Sequence, residues 1–333
     1  MSQPSVSIIV PVYNVELYIR KCIESIYRQG LDDGSFEVII VNDGSKDQSM
    51  EAISDIIEQH NNIIVINQEN QGLSVARNNG IKMAKGEYVF MPDSDDLLVD
   101  NSLAYLVGKA ISSKADLVVA DHFRMNSLIM DQIDQVSFGR EDGMVVEKTG
   151  EELFIQDLNP KCCFVWQTLY RKSFLTDNNI NFEPGIYYED FPFTHECYLK
   201  AKKCLRVSWV LYIYRECRPN AITSSYSVRK GKDLGVAIAK TWELTKKNNS
   251  PQVQSKIKDD IFSLFYFNLH EIVKLKTKRE RFQVIDYMKE RVPDLRFENG
   301  RGQKRCSFLY HYMPHALVRI ARFILMLRGS HSL

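Results

Sequence analysis

The sequence predicts an α/β fold built on a mostly parallel sheet. Two observations in the first 125 residues and a third further on lead there. Short, continuously apolar runs alternate with segments of helical periodicity, the pattern of successive βαβ units. Polar and acidic residues gather where those runs end. After Ser227 the chain becomes helical, with Ile257, Ile261, Leu264, Phe265, Leu269 and Ile272 forming one apolar stripe.

The first run, Val6–Val10, is short and β-branched, broken only by Ser7, as suits a strand buried on both faces. Leu17–Arg28 then sets Ile19, Cys22, Ile23 and Ile26 at helical spacing. Glu37–Val41 reads as a second strand and Met50–Ile57 as a second helix. Ile63–Ile66 is a third strand, followed by helical spacing over Leu73–Met83, where Gly80 is a weak point. Tyr88–Met91, Ser102–Ile111 and Leu117–Ala120 complete the series as strand, helix and strand. From Phe123 to about Gly150 the glycines and polar residues predict loops or edge strands, and Glu151–Ser225 is mixed and rich in aromatics.

The 333 residues, with 44% hydrophobic and 26% charged, suit two globular domains or one enlarged domain with an appendage. A net charge of +1 carries no electrostatic footprint for nucleic acid. Seven cysteines with no CxxC spacing read as buried reduced thiols, which points to the cytoplasm. The N-terminus lacks the marks of a signal peptide, and no run of 18 apolar residues predicts a membrane span.

In an open parallel sheet, ligands bind beyond the carboxyl ends of the strands. Here those ends carry Pro11-Val12-Tyr13-Asn14, then Asn42-Asp43-Gly44-Ser45, then Pro92-Asp93-Ser94-Asp95-Asp96. Asp43 alone is an ordinary turn residue. Three carboxylates within Asp93–Asp96 repel one another unless a cation offsets them. Oxygen ligands favour Mg2+ or Mn2+, and sites of that kind are commonly completed by substrate phosphates. Neither GxGxxG nor GxxxxGK[ST] is present to cradle phosphate. Arg77, within Asn70–Ile81, offers a guanidinium fork for that charge.

Taken together, VSIIVPVYN at 6–14, VNDGSKD at 41–47, NQGLSVARNNGI at 70–81 and PDSDD at 92–96 resemble the family-2 glycosyltransferases of the GT-A fold. That resemblance implies a Rossmann-like sheet flanked by helices with a C-terminal helical extension, and inverting transfer from a nucleotide-diphosphate sugar, usually a UDP-sugar. It divides the chain into a nucleotide-sugar-binding half over 1–125, an acceptor-binding half over 126–225 and a helical region over 226–333. It places Asp43, Arg77, Ser94 and the backbone of Pro11–Asn14 against the donor. Asp93 then faces ribose and metal, and Asp95 holds the divalent cation, Mn2+ or Mg2+.

Later segments extend the resemblance. Val165–Arg171, with Trp166, is similar to the family's acceptor-side segment, although Gln167 stands where Asn is frequent. Glu189-Asp190 is similar to its Glu-Asp motif and implies Asp190 as the base that deprotonates an acceptor hydroxyl. Tyr212–Thr223 resembles its tyrosine-arginine segment. His195-Glu196 lacks a second histidine at metalloprotease spacing and reads as a surface or core residue.

From Asn299 to Leu333 there are six basic residues and no acidic one. His315, Arg319 and Arg322 share one helical face, with Leu317, Ile320, Ile324 and Leu327 near another. This basic amphipathic helix docks either on the protein's own core or peripherally on an anionic bilayer, where a saccharide or lipid-linked acceptor would be met. Two other readings compete: a catalytically silent nucleotide-sugar-binding module, and a metal-dependent nucleotidyltransferase.

Overall fold

The computed structural model describes residues 3–136, 143–218 and 226–329, which form two compact units. The first unit comprises Met1–Leu153, Phe164–Gly185 and Cys197–Ala221, and the second Phe154–Cys163, Ile186–Glu196 and Ile222–Leu333.

A nine-stranded sheet dominates the first unit. Its parallel part holds β1 (Val6–Val12), β2 (Phe36–Asn42), β3 (Ile63–Asn67) and β4 (Tyr88–Phe90), in the spatial order β3-β2-β1-β4. Every residue of β1 is buried, which is why its sequence is apolar without alternation. Helices α1 (Ile19–Tyr27), α2 (Ser54–Gln59), α3 (Leu73–Met83) and α4 (Ser102–Ser113) fall among these strands as the periodicity predicts. The expected helix at Met50–Ile57 opens as a 3-10 turn over Glu51–Ile53.

Beyond β4 the sheet becomes mixed. It gains β5 (Leu97–Leu98), β6 (Leu117–Asn126), β7 (Val145–Lys148), β8 (Thr168–Arg171) and β9 (Cys204–Glu216). The order continues β4-β8-β6-β9-β5, and β7 also pairs with β9. β8 is antiparallel to both of its neighbours, while β6 and β9 run parallel with register shifts near Asp121. β6 extends through a region expected to be loop because β9 pairs with it as far as Asn126–Glu216. Its last residues are polar and partly exposed, so no apolar run marked them. Short helices α5 (Ser127–Met130), α6 (Gly150–Gln156) and α7 (Lys172–Asp177) link these strands.

The N-terminal half of α8 (Asp190–Lys200) belongs to the second unit, together with α9 (Val228–Lys247), α10 (Pro251–Ile272), α11 (Lys278–Arg291), α12 (Arg301–Tyr312) and α13 (Pro314–Gly329). Local signals set these ends. Ser227 and Ser250 accept from backbone N–H groups of the first turns of α9 and α10, and Thr277 with Glu280 forms a capping box on α11. Five of the six residues of the predicted stripe are buried, Leu264 only partly. Cys22, Cys163, Cys197 and Cys204 are buried as expected, but Cys217 is exposed. Among the described residues no helix is long and apolar enough to cross a membrane.

Candidate active site

Parallel pairing of β1 with β2 and β4 brings their carboxyl ends to one edge of the sheet, as the strand-end motifs require. The loop after β1 is laced to the loop after β2. Asn14, at φ 52°, accepts from Lys46 N at 2.8 Å, and its own N–H donates to Ser45 Oγ at 3.3 Å. Val15 N donates to Ser49 Oγ at 2.8 Å. These bonds fix Pro11, Val12, Tyr13 and Asn14 as one rim, from which Tyr13 is 47% exposed.

Asp43 is buried beside this rim. Oδ1 accepts from Gln68 Nε2 at 2.7 Å and Gln71 N at 2.8 Å, and Oδ2 from Gly72 N at 2.9 Å. Gly72 has φ 89°, a conformation open to glycine at little cost. The Asp43 carboxylate thus holds the entry to α3 against the end of β2.

α3 lies directly on β1. A Cβ at Gly80 would sit 2.2 Å from Ile9 Cγ2, so the residue that weakens the helix is the one that lets it approach. One turn earlier, Arg77 is 1% exposed and meets Asp93 Oδ1 at 2.8 Å. Its guanidinium also lies over the Phe182 ring, 5.2 Å from the centroid. The neighbouring Asn78 exchanges hydrogen bonds with the Phe182 backbone at 2.9 and 3.0 Å.

The three clustered aspartates differ in role. Asp96 is buried; Tyr212 donates to its Oδ2 at 2.8 Å and Arg215 N to its Oδ1 at 2.7 Å. Tyr212 in turn accepts from Asp93 N at 2.9 Å. Asp96 therefore pins this loop to β9. Burial, then the charges of Asp95 and Asp93, push its carboxyl well above the usual range. Asp93 and Asp95 keep side-chain exposures of 28% and 22%. Burial also raises the Asp95 carboxyl, opposed by Arg218, whose Nε lies 2.9 Å from Asp95 Oδ2. Arg215 Nε donates to the Asp95 carbonyl at 2.6 Å. Ser94, between them, is 6% exposed.

Tyr212, Arg215 and Arg218 were not singled out as site residues from sequence. Tyr212 and Arg215 lie within β9 and Arg218 just beyond it, and they meet the aspartates only through the fold; the available signal was the tyrosine-arginine segment containing them. Trp166 lies behind the cluster, 1% exposed and stacked on Tyr212 at 4.1 Å. Phe164 stacks on its other side at 4.5 Å.

Glu189 and Asp190 belong to the second unit. Tyr188 before them has φ 65°, Glu189 is 7% exposed, and Asp190 opens α8, where the helix N-terminus favours a negative charge. His195 on the same helix is fully buried, with Nε2 3.2 Å from Asp260 Oδ2 and Nδ1 2.8 Å from Phe191 O. Lys256 Nζ holds the other Asp260 oxygen at 2.5 Å.

A parallel strand edge bearing clustered carboxylates and arginines, with no Gly-rich phosphate loop, suits an α/β enzyme that takes a phosphate-bearing substrate. The family described as Glycosyl transferase family 2 matches residues 7–172. This chain belongs to glycosyltransferase family 2 and is a glycosyltransferase. It is 37% identical to the uncharacterized glycosyltransferase EpsJ of Bacillus subtilis (strain 168) over 223 residues, 66% of this chain and 63% of that protein. It is 30% identical over 201 residues to the poly(ribitol-phosphate) beta-glucosyltransferase of Bacillus spizizenii, covering 60% of this chain and 30% of the relative. Among solved structures, S. aureus TarS 1–349 in complex with UDP-GlcNAc superimposes with a TM-score of 0.75 at 20% identity, over 97% of this chain and 92% of that one. That likeness carries the GT-A fold.

Proposed function

We propose that the chain transfers a sugar, with inversion, from a UDP-sugar to a hydroxyl of a saccharide acceptor that is lipid-linked or part of a growing polymer. The observation that carries this reading is the strand edge itself, where Asp93 and Asp95 remain partly exposed beside Arg77 and Arg218. The UDP-GlcNAc held by TarS supports the donor class, and the polymer named for the Bacillus spizizenii relative supports the acceptor class.

The residues fit a divalent cation bound jointly with a diphosphate. Among the described residues no group of three or more His, Cys, Asp or Glu could hold a metal alone. Two partly exposed carboxylates, Asp93 and Asp95, supply hard oxygen ligands of the kind Mn2+ or Mg2+ shares with phosphate oxygens. When bound, the cation supplies Lewis-acid stabilisation of the departing diphosphate.

The chain's own residues do the remainder. Pro11–Asn14 and Asp43 line the base and ribose pocket, and Ser94 and Asp93 border the sugar phosphate. Arg77 and Arg218 turn their charge toward the leaving group as it becomes more negative. Asp190 takes the proton of the attacking hydroxyl, with Glu189 and Trp166 on the acceptor side. Direct displacement on the anomeric carbon gives inversion. A lipid-linked acceptor brings the enzyme to the inner face of the cell membrane, in peripheral contact through its basic C-terminal helix.

Calorimetry of UDP with Mn2+ on wild type and Asp95→Ala, with GDP in parallel, tests the donor site. Metal-dependent UDP binding that Asp95→Ala abolishes is the expected result. Failure of the folded wild type to bind either nucleotide overturns the reading.

A further inference from the structure

The second unit carries an apolar surface that its own packing does not use. On α13, Leu317 and Val318 are 4% and 1% exposed. His315 lies flat on Phe282, with centroids 3.9 Å apart, and reaches Asp286 Oδ1 at 2.7 Å. This face docks the helix on its own unit, as one of the two sequence readings expected. The opposite face presents Ile320, Phe323 and Leu327 at 45%, 62% and 49% exposure, a spacing of three and four residues that forms one continuous stripe. On the preceding α12, Phe308 and Tyr312 are likewise exposed.

The charge around this surface is one-sided. Among the described residues, Arg301, Lys304, Arg305, Arg319 and Arg322 have no carboxylate partner. Arg319 lies instead over the Phe282 ring. Burial, followed by the charge of Arg322, holds the Arg281 guanidinium below its usual range, so cations here face cations. Lys304, Arg305, Phe308 and Leu309 together line a shallow hollow. A surface that sets apolar rings among unneutralised cations matches a ligand offering hydrocarbon and phosphate side by side.

We infer that the outer faces of α12 and α13 seat the enzyme on an anionic lipid bilayer, with Phe308, Tyr312, Phe323 and Leu327 entering the headgroup boundary and Lys304 and Arg305 meeting lipid phosphates. This deepens the peripheral contact proposed above and rests on it. It also changes which residues are responsible: α12 contributes as much as α13, while His315 and Leu317 face inward.

Co-sedimentation of the full chain with vesicles tests it. Mixed phosphatidylglycerol–phosphatidylcholine vesicles should retain the protein and pure phosphatidylcholine should not. Lys304→Glu/Arg305→Glu and Phe323→Ser should each weaken retention, the charge pair by on the order of 100-fold. Both variants change exposed side chains, and unchanged thermal unfolding confirms their fold. Retention that neither variant alters overturns this surface while leaving a membrane contact standing. No retention of wild type on anionic vesicles overturns both. Concentration-dependent dimerisation abolished by Phe323→Ser, without vesicle binding, reassigns the face to a second copy of the chain and overturns the inference.

Discussion

Arg77 meets Asp93 at 2.8 Å, joining α3 to the loop after β4 across sixteen residues of sequence. The guanidinium is almost wholly buried while the carboxylate is partly exposed, so the pair couples an interior cation to the edge of the sheet. Arg77→Met should lower stability by about 1–3 kcal/mol, by removing one partner of that pair. It should also weaken UDP binding in the presence of Mn2+ by at least about ten-fold. Urea unfolding and calorimetry read the two effects separately, and wild-type affinity in the variant would remove Arg77 from the diphosphate site.

Asp95 and Asp96 are adjacent but should respond differently. Asp96 is held between Tyr212 and β9, so Asp96→Ala should destabilise the fold by about 2–4 kcal/mol through lost buried bonds. Asp95→Asn should leave the melting temperature nearly unchanged and abolish the Mn2+ dependence of nucleotide binding. Titration with EDTA should reduce wild-type turnover to the level of Asp95→Asn.

Asp190→Asn should lower kcat by about 100-fold or more, with the donor KM and UDP affinity close to wild type. Initial rates at saturating donor test this. Near-normal turnover would exclude Asp190 as the base.

Gly80→Ala is a conservative change with a large expected cost. Its methyl would meet the fully buried, β-branched Ile9, and overpacking of this kind costs about 1–3 kcal/mol. Because α3 carries Arg77, donor affinity should fall along with stability. Ile9→Ala removes both γ-carbons that the new methyl would meet, so Ile9→Ala/Gly80→Ala should cost less than the two single changes added together, as measured by thermal unfolding.

In the second unit His195 and Asp260 are buried, and the partly exposed Lys256 caps the pair. Asp260→Ala leaves two basic groups without their carboxylate and should cost about 3–5 kcal/mol. His195→Phe/Lys256→Met/Asp260→Leu should cost less than the single variant, because no basic group is left without its carboxylate. Equal losses in chemical denaturation would show that packing, not charge, is decisive.

The fold class was legible because a strand covered on both faces is largely apolar, and β1 and β2 are written that way apart from Ser7 and Glu37, which bond to each other. The acidic cluster at the sheet edge was legible for a related reason: clustered carboxylates directly after a buried strand are costly unless something offsets their charge. β9 and the later part of β6 were less visible, since their residues are apolar or polar according to neighbours contributed by distant segments. The seven cysteines looked alike in sequence, yet Cys217 is exposed.

What the sequence determined by itself is the order of elements and the identity of the groups at the sheet edge, because periodicity and composition are local properties. The tertiary structure decided the partners. It separated Asp96, held as an anchor, from Asp93 and Asp95, which stay partly exposed, and it gave Asp95 an arginine 123 positions along the chain, Arg218. It turned Leu317 inward and left Phe323 facing out. Those outcomes depend on contacts between residues far apart in the chain, whose free energies arise only when packing excludes water around them.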